Sequence, residues 1–508
     1  MTSFPSHLLR FLASLIVVCA ICSGCSTSNA QASAQATSQP AAIPEPNAAS
    51  PNGASALPPN TLSYVPEKTE TVNGIAHHFL SQSSTMLASE LEGQIRETNH
   101  LAPKQLYVKK GQTLLIPAIE PQPIVEHSVP MAKEEEVRAI YLTGAMAGSA
   151  KGMNIIRRWH EVGGNAVVFD IKDSDGSLSV PFEHSLAPHN RRSIPNLPKF
   201  VRYLHSMNLH AIARIALFRD EHIARDHSEL AVHSRSTGQP WRENGKLVWT
   251  DTSNPKVQEY DIALAKWVAQ SGADEIQFDY VRFPAEGNQA DAKFYFQTAH
   301  PEWKRADVIA DFLDRAYQHL HPEGVLVSLD VFGIMAWQRN VDLAHTGQDI
   351  VRMAKYCDVI SPMIYPSHFF GMDGYKSPGD APEHFIGESM DRFETITAGS
   401  GVVMRPWLQA FAWRTHTYSP DYIMRQVSTS RDRGGIGFLF WNARNDYSKP
   451  YLAMPSMKEH ADKYFGKRPA PAPTAAVETA SLKSHKRPHG KPALKLANAK
   501  QTTPESAK

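Results

Sequence analysis

The sequence predicts an α/β protein whose main part is a closed barrel of eight parallel strands. Eight apolar, strand-like runs recur between residues 133 and 465, with helical patterns between them, as parallel βα units require. Eight such units in about 330 residues close into a (β/α)8 barrel, a TIM barrel, with long loops. No Gly-x-Gly-x-x-Gly turn follows the first run, which argues against an open, doubly wound sheet.

The runs begin near Ala139-Ile140-Tyr141-Leu142, Ala166-Val167-Val168-Phe169, Ala211 to Ile215 and Glu275-Ile276-Gln277-Phe278. They continue at Val325 to Leu329, Val359 to Met363, Val402 through Leu408, and Ile436 to Trp441. Two of the intervening helices carry clear start signals. Asn254-Pro255 places proline at a first helical position, after which Val257, Tyr260, Leu264, Trp267 and Val268 recur at helical spacing up to Gly272. Ser419-Pro420 opens another helix, closed by Gly434-Gly435.

Chemistry in such barrels collects at the C-terminal ends of the strands. The second strand ends Asp170-Ile171-Lys172-Asp173, and the two-residue period puts Asp170 and Lys172 on one face. The fourth ends with Gln277 and Asp279 on one face, followed by Tyr280 and Arg282; the fifth ends at Asp330. Arg214 lies in the third strand, Tyr365 and His368 follow the sixth, Arg405, Trp407 and Gln409 belong to the seventh, and Trp441 and Asn442 to the eighth. A lone strand-end Asp commonly caps the next helix. Asp170, Asp279 and Asp330 at equivalent ends of three strands point instead to one functional cluster. Tyr280, Tyr365, Trp407, Trp413 and Trp441 at the same rim suit stacking on sugar rings, although core packing accounts for some of them. Carboxylates and aromatics in one mouth fit glycosidic chemistry, which needs two carboxyl groups flanking the scissile bond.

Four segments carry a family resemblance: Arg138 to Gly144, Asn165 to Asp173, Gln277 to Pro284 and Ser361 to His368. In this order they resemble a bacterial domain family of unknown function, described as a glycosyl hydrolase barrel distantly related to the alpha-amylase clan. The resemblance spans about 133–450. It implies that Asp279 is the nucleophile and that Asp330, standing where that clan has Glu, is the acid/base, with Asp170 or Asp173 as the next candidate acid. Adjacent strands lie ~4.8 Å apart, so Asp279 and Asp330 can approach the ~5–5.5 Å of retaining enzymes. Lys172, Asp173, Arg214, Gln277, Tyr280, Arg282, Tyr365, His368, Trp407, Gln409, Trp441 and Asn442 are the expected substrate-binding residues. A second reading is a non-catalytic glycan-binding lipoprotein. A third takes Asp170, Asp173 and Asp175 as a cation loop, but a tight turn explains Asp173-Ser174-Asp175-Gly176 more simply. The 23 histidines show no zinc spacing and no phosphate-binding loop is visible, so neither metal nor cofactor is expected.

Residues 1–25 combine Arg10 with a mostly apolar run from Phe11 to Ile21, the length of a signal peptide rather than a spanning helix. Cys22-Ser23-Gly24-Cys25 resembles a bacterial lipoprotein cleavage box, which implies a lipid on Cys25, export and anchoring in the envelope, at the outer membrane facing periplasm or surface. An ordinary secretory signal is the alternative. Residues 26–60 are rich in Ala, Ser, Pro, Asn and Gln and read as a flexible tether. In 61–120, Ile95 to Leu101 followed by Leu106 to Pro117 resembles the second half of a LysM module, a family that binds N-acetylglucosamine-containing glycans. Residues 121–132 read as a linker. From 466 onward the chain reads as a disordered tail with nine Lys or Arg against Glu478 and Glu505. A solvated extension is favoured there over attachment to anionic polymer or lipid. Overall, 52 basic and 51 acidic residues nearly cancel, which argues against a nucleic-acid binder. The expected partners are a polysaccharide or peptidoglycan-type glycan and, through the lipid, a membrane.

Overall fold

The computed structural model describes residues 57–466. The signal-like segment with Cys25, most of the tether and the basic tail from 467 lie outside the described residues.

The barrel strands are β1 (Val137–Leu142), β2 (Ala166–Lys172), β3 (His210–Ala216), β4 (Glu275–Asp279), β5 (Leu326–Phe332), β6 (Val359–Ile364), β7 in two pieces (Val403–Met404 and Trp407–Gln409) and β8 (Gly437–Trp441). Each strand pairs in parallel with the next. β8 then returns to β1, with Leu439 opposite Ala139, so the sheet has no open edge. The fold is the expected (β/α)8 barrel. The gap in β7 falls at Arg405-Pro406, where proline has no N–H to give to the ladder.

Local signals in the sequence set the helices. Asn254 caps Pro255–Gln270 by accepting from the Lys256 amide, and Ser419 caps Pro420–Asp432 by accepting from Tyr422. Gly272 and Gly434, just beyond these helices, adopt the left-handed backbone that glycine tolerates best. An outer apolar layer joins strands to helices, and a smaller cluster inside the barrel includes Val137, Ala139, Val168, Ile212, Trp407 and Leu439. The lower end of the barrel is closed by charge. Arg405, fully buried on β7, donates to Glu275 Oε2 at 2.7 Å, and His210 meets the same oxygen at 3.1 Å. Arg405, expected at the strand-end rim, is therefore at the opposite end.

Before the barrel, helices Val72–Phe79 and Ala88–Thr98 pack on two small antiparallel ladders, Leu62–Tyr64 with Leu114–Ile116 and Glu70–Thr71 with Tyr107–Val108. Val72, Ile75, Phe79, Leu91, Ile95, Val108, Leu114 and Ile116 form its separate core. Asn99 joins helix to strand, donating to Leu115 O and Ile95 O while accepting from the Leu115 amide. This unit is fastened to the barrel helix Leu197–His205. Arg202 donates to Glu120 and to Glu126, both at 2.7 Å, and Lys199 donates to Leu80 O. Between unit and barrel, the Val129 amide donates to Asp274 at 2.6 Å, so residues 121–132 are pinned to the barrel. Among the described residues no helix is long and apolar enough to cross a membrane.

Candidate active site

The mouth of the barrel is organised by one guanidinium. Asp170 on β2 stands opposite Arg214 on β3, while Asp279 at the end of β4 pairs with Ala216, two residues further along. Arg214 Nη1 donates to Asp170 Oδ1 at 2.5 Å, and Nη2 and Nε donate to Asp279 Oδ2 at 2.6 and 3.2 Å. The same Nε lies 3.9 Å from Asp330 Oδ2 on β5. The nearest Asp279 and Asp330 oxygens are therefore separated by at most about 7 Å, within the reach of a two-carboxylate glycosidase.

Each carboxyl has a different environment. Asp279 Oδ1 accepts the amide of Tyr280 at 2.6 Å, and that tyrosine adopts the left-handed backbone, with φ of 54°. This conformation is costly for a bulky side chain, and here it folds the amide back onto the carboxylate. Asp330 is buried and accepts Trp407 Nε1–H at 2.6 Å on Oδ1. Burial first, and then the neighbouring Asp279 charge, push its pKa well above the usual carboxylate value, which favours its protonated form. Asp170 accepts the Tyr141 hydroxyl at 2.5 Å, and burial outweighs Arg214 to raise its pKa to about 7.

An aromatic wall rises beside Asp330. Tyr365, whose hydroxyl is pushed up by burial and then by Asp330 and Asp279, stacks on Trp441 at 5.5 Å. Phe411 meets both rings edge-on.

Residues 139–447 match a family model described as "Putative glycosyl hydrolase domain". The chain belongs to this family. No curated protein matches the chain. Among solved structures, a hypothetical protein from Ruminiclostridium thermocellum ATCC 27405 is 33% identical, covering 38% of this chain and 97% of that one at a TM-score of 0.32. The glycoside hydrolase domain of PgaB (BpsB) from Bordetella bronchiseptica is 15% identical, covering 66% and 100% at 0.46. An endo-beta-1,4-mannanase from Thermotoga petrophila is 11% identical, covering 64% and 77% at 0.41.

Within this domain, the structure separates the expected site residues into two groups. Asp170, Arg214, Asp279, Asp330, Tyr365, Trp407 and Trp441 come together at the mouth. Asp173 sits at its edge, half-buried, where its charge helps to raise Asp170 while its Oδ1 accepts the Ser174 amide. Asp175 turns its Oδ1 to Ser177, so this segment is a turn held by its own carboxylates. Gln277 lies below Asp279, fully buried and donating to Ser361 at 3.3 Å.

Lys172 does not share a face with Asp170. A β-bulge intervenes: Asp170 pairs with Arg214, but Lys172 pairs with the next residue, Ile215. The extra residue turns the lysine outward, to Asp261 at 2.7 Å, Leu217 O at 2.9 Å and Asp220 at 3.2 Å, fully buried. Gln409 and Asn442 are consumed by the loops. Gln409 donates to Phe411 O and Thr415 and accepts from Ser367, while Asn442 donates to Ala410 O and accepts from Arg444. Arg282 packs against Trp249, Tyr280 and Phe332 and donates to Phe283 O, which wedges the Tyr280 turn rather than facing a ligand. His368 is buried among Tyr365, Phe411 and Trp413, and burial, then Arg414, lowers its pKa to about 3. The residue missed from the sequence is Tyr141, the hydrogen-bond partner of Asp170. It lies one residue before the end of β1, and reading that strand end like the others exposes it.

Proposed function

We propose that this domain hydrolyses glycosidic bonds of a cell-envelope polysaccharide or peptidoglycan-type glycan by a retaining mechanism, with Asp279 as nucleophile and Asp330 as acid/base. The observation that carries this reading is the pairing of a carboxylate held by three donors with a second, buried carboxyl no more than about 7 Å away, whose pKa burial raises. In the first step the Asp279 carboxylate bonds to the anomeric carbon, the glycosidic C–O bond breaks, and the Asp330 proton passes to the departing oxygen. In the second, Asp330 takes a proton from water. The water oxygen bonds to the anomeric carbon and the ester to Asp279 breaks. Trp407 Nε1–H supports the charged form of Asp330 between the two steps, and Arg214, braced by Asp170, fixes the direction of Asp279. A purely glycan-binding barrel has no use for a second carboxyl buried beside Asp279 with its pKa raised.

The full chain is tested on a panel of envelope and capsular glycans by released reducing ends, with the anomer of the first product read by NMR. Asp279→Asn abolishes release. Undiminished hydrolysis by that variant sinks the assignment, and an inverted first product sinks the retaining mechanism.

The envelope setting rests on the signal-like segment and the small residues before Cys25, and the unit at 62–116 would hold the enzyme on the same class of glycan. In a bacterial host the chain incorporates labelled palmitate and Cys25→Ser does not. Equal labelling of both removes the anchor.

A further inference from the structure

On one side of the mouth the rings are sealed in. Trp249, Tyr280 and Phe332, on the side of the β3, β4 and β5 loops, are buried, with Arg282 packed against all three. On the other side, the loops after β6 and β7 and the end of β8 carry a continuous run of rings that becomes more exposed outward. Tyr365 and His368 are buried beside the carboxyls; Phe411, Trp413 and Trp441 are half-buried; Phe370 is 47% exposed at the outer end.

Successive contacts along this run are close. Tyr365 meets His368 at 5.4 Å, and His368 meets Trp413 at 5.1 Å. The Arg414 guanidinium then lies 4.5 Å from the Trp413 ring and 5.0 Å from Phe370. Arg414 holds this place from the left-handed backbone, with φ of 49°, at a conformational cost that a plain surface loop does not need. Half-exposed aromatic rings in a row, continuous with a catalytic mouth, present flat apolar faces that water covers poorly and that the C–H faces of sugar rings cover well.

We infer that this run is an extended set of sugar subsites, so that the domain takes a polysaccharide gripped several units to one side of the cleaved bond rather than a disaccharide. The outer subsites are Trp413 and Phe370, braced by Arg414; the inner ones are Trp441, Phe411 and Tyr365. The occupant is a chain of uncharged or N-acetylated sugars, because rings line the run and its guanidinium, Arg414, lies over Trp413 and Phe370. Trimming of short soluble sugars has no use for the outer half. This inference rests on the proposed hydrolase reading and deepens it.

The test uses the full chain carrying Asp279→Asn, to bind without turnover. Its probes are ladders of β-1,4-linked N-acetylglucosamine, β-1,6-linked N-acetylglucosamine and β-1,4-linked mannose, with two, four and six units. In at least one ladder the hexamer binds about tenfold or more tighter than the dimer, a difference of roughly 1.4 kcal/mol. Adding Trp413→Ala or Phe370→Ala compresses that ladder, so that the hexamer binds about as weakly as the dimer. Phe370 is a surface ring, so its variant reports on binding even where the tryptophan change disturbs the loop. Binding that does not depend on length in any ladder, or a length gain that survives both variants, overturns the inference. Hydrolysis of the same ladders by the unmodified chain and by Asp279→Asn is read in parallel. Equal rates there sink the nucleophile assignment while leaving the length dependence intact.

Discussion

Replacing Arg214 with glutamine probes the organisation of the mouth without needing a substrate. In the native protein this side chain makes three hydrogen bonds to two carboxyls and stands 3.9 Å from a third. All of these groups are buried, so removing the cation strands negative charge in a low-dielectric site. Breaking a buried ion pair in this way costs about 3–5 kcal/mol. The cost has a definite pH dependence. Asp170 and Asp330 are already raised above the unfolded ~3.9 in the native protein, and without the cation, which lowers both, they rise further. The folded variant therefore binds more protons than the folded native protein, and each such extra proton widens the stability gap by up to about 1.4 kcal/mol per pH unit as pH rises. The difference between native and variant is thus largest at pH 8, about 3–5 kcal/mol, and smaller at pH 5. Urea unfolding of the full chain at the two pH values, followed by tryptophan fluorescence and circular dichroism, measures it. A penalty below about 1 kcal/mol, or one that is equal at both pH values or larger in acid, refutes the placement of these charges.

Two further changes follow from the same geometry. Trp407→Phe keeps the ring but removes the donor 2.6 Å from Asp330, and a hydrogen bond to a charged group is worth about 1.5–3 kcal/mol. Losing it raises the Asp330 pKa further. Because an acid must be protonated to act, the alkaline limb of kcat/KM on the glycan found by the panel moves to higher pH, and a limb that stays or moves down contradicts the role of Asp330. Lys172→Met leaves Asp261 and Asp220 buried without their cation, at about 3–5 kcal/mol in the free energy of urea unfolding. Turnover per folded molecule stays the same, since Lys172 faces away from the mouth, and lost turnover at full stability would return it to the site.

The fold was legible because barrel strands are apolar on both faces and stand out as runs, while Asn254-Pro255 and Ser419-Pro420 announce helix starts. Asp170, Asp279 and Asp330 were legible because an acid at the end of a buried strand is expensive without a use. Lys172 was misplaced because a strand's two-residue period assumes an unbroken ladder, and one bulged residue moves every later side chain to the other face. Gln409, Asn442 and Arg282 show a different limit. A polar group at a strand end satisfies a loop as readily as a ligand, and only the partner's position tells them apart. Arg214 as the shared centre of three carboxyls is a property of strand register, which composition and spacing do not encode.

The fastening of the small N-terminal unit to the barrel has a mechanical consequence. Arg202 bridges Glu120 and Glu126, Lys199 holds Leu80 O, and Asp274 holds the segment between, so the two parts turn as one body. If the unit grips glycan, the distance from grip to cut is fixed by the protein rather than sampled by a swinging hinge. Rigid two-point attachment rewards only chains long enough to span both points, and fragments below that span lose the benefit of the second contact entirely. Such an enzyme works as a gauge, and a sharp lower bound in the lengths of its products would be the mark of it.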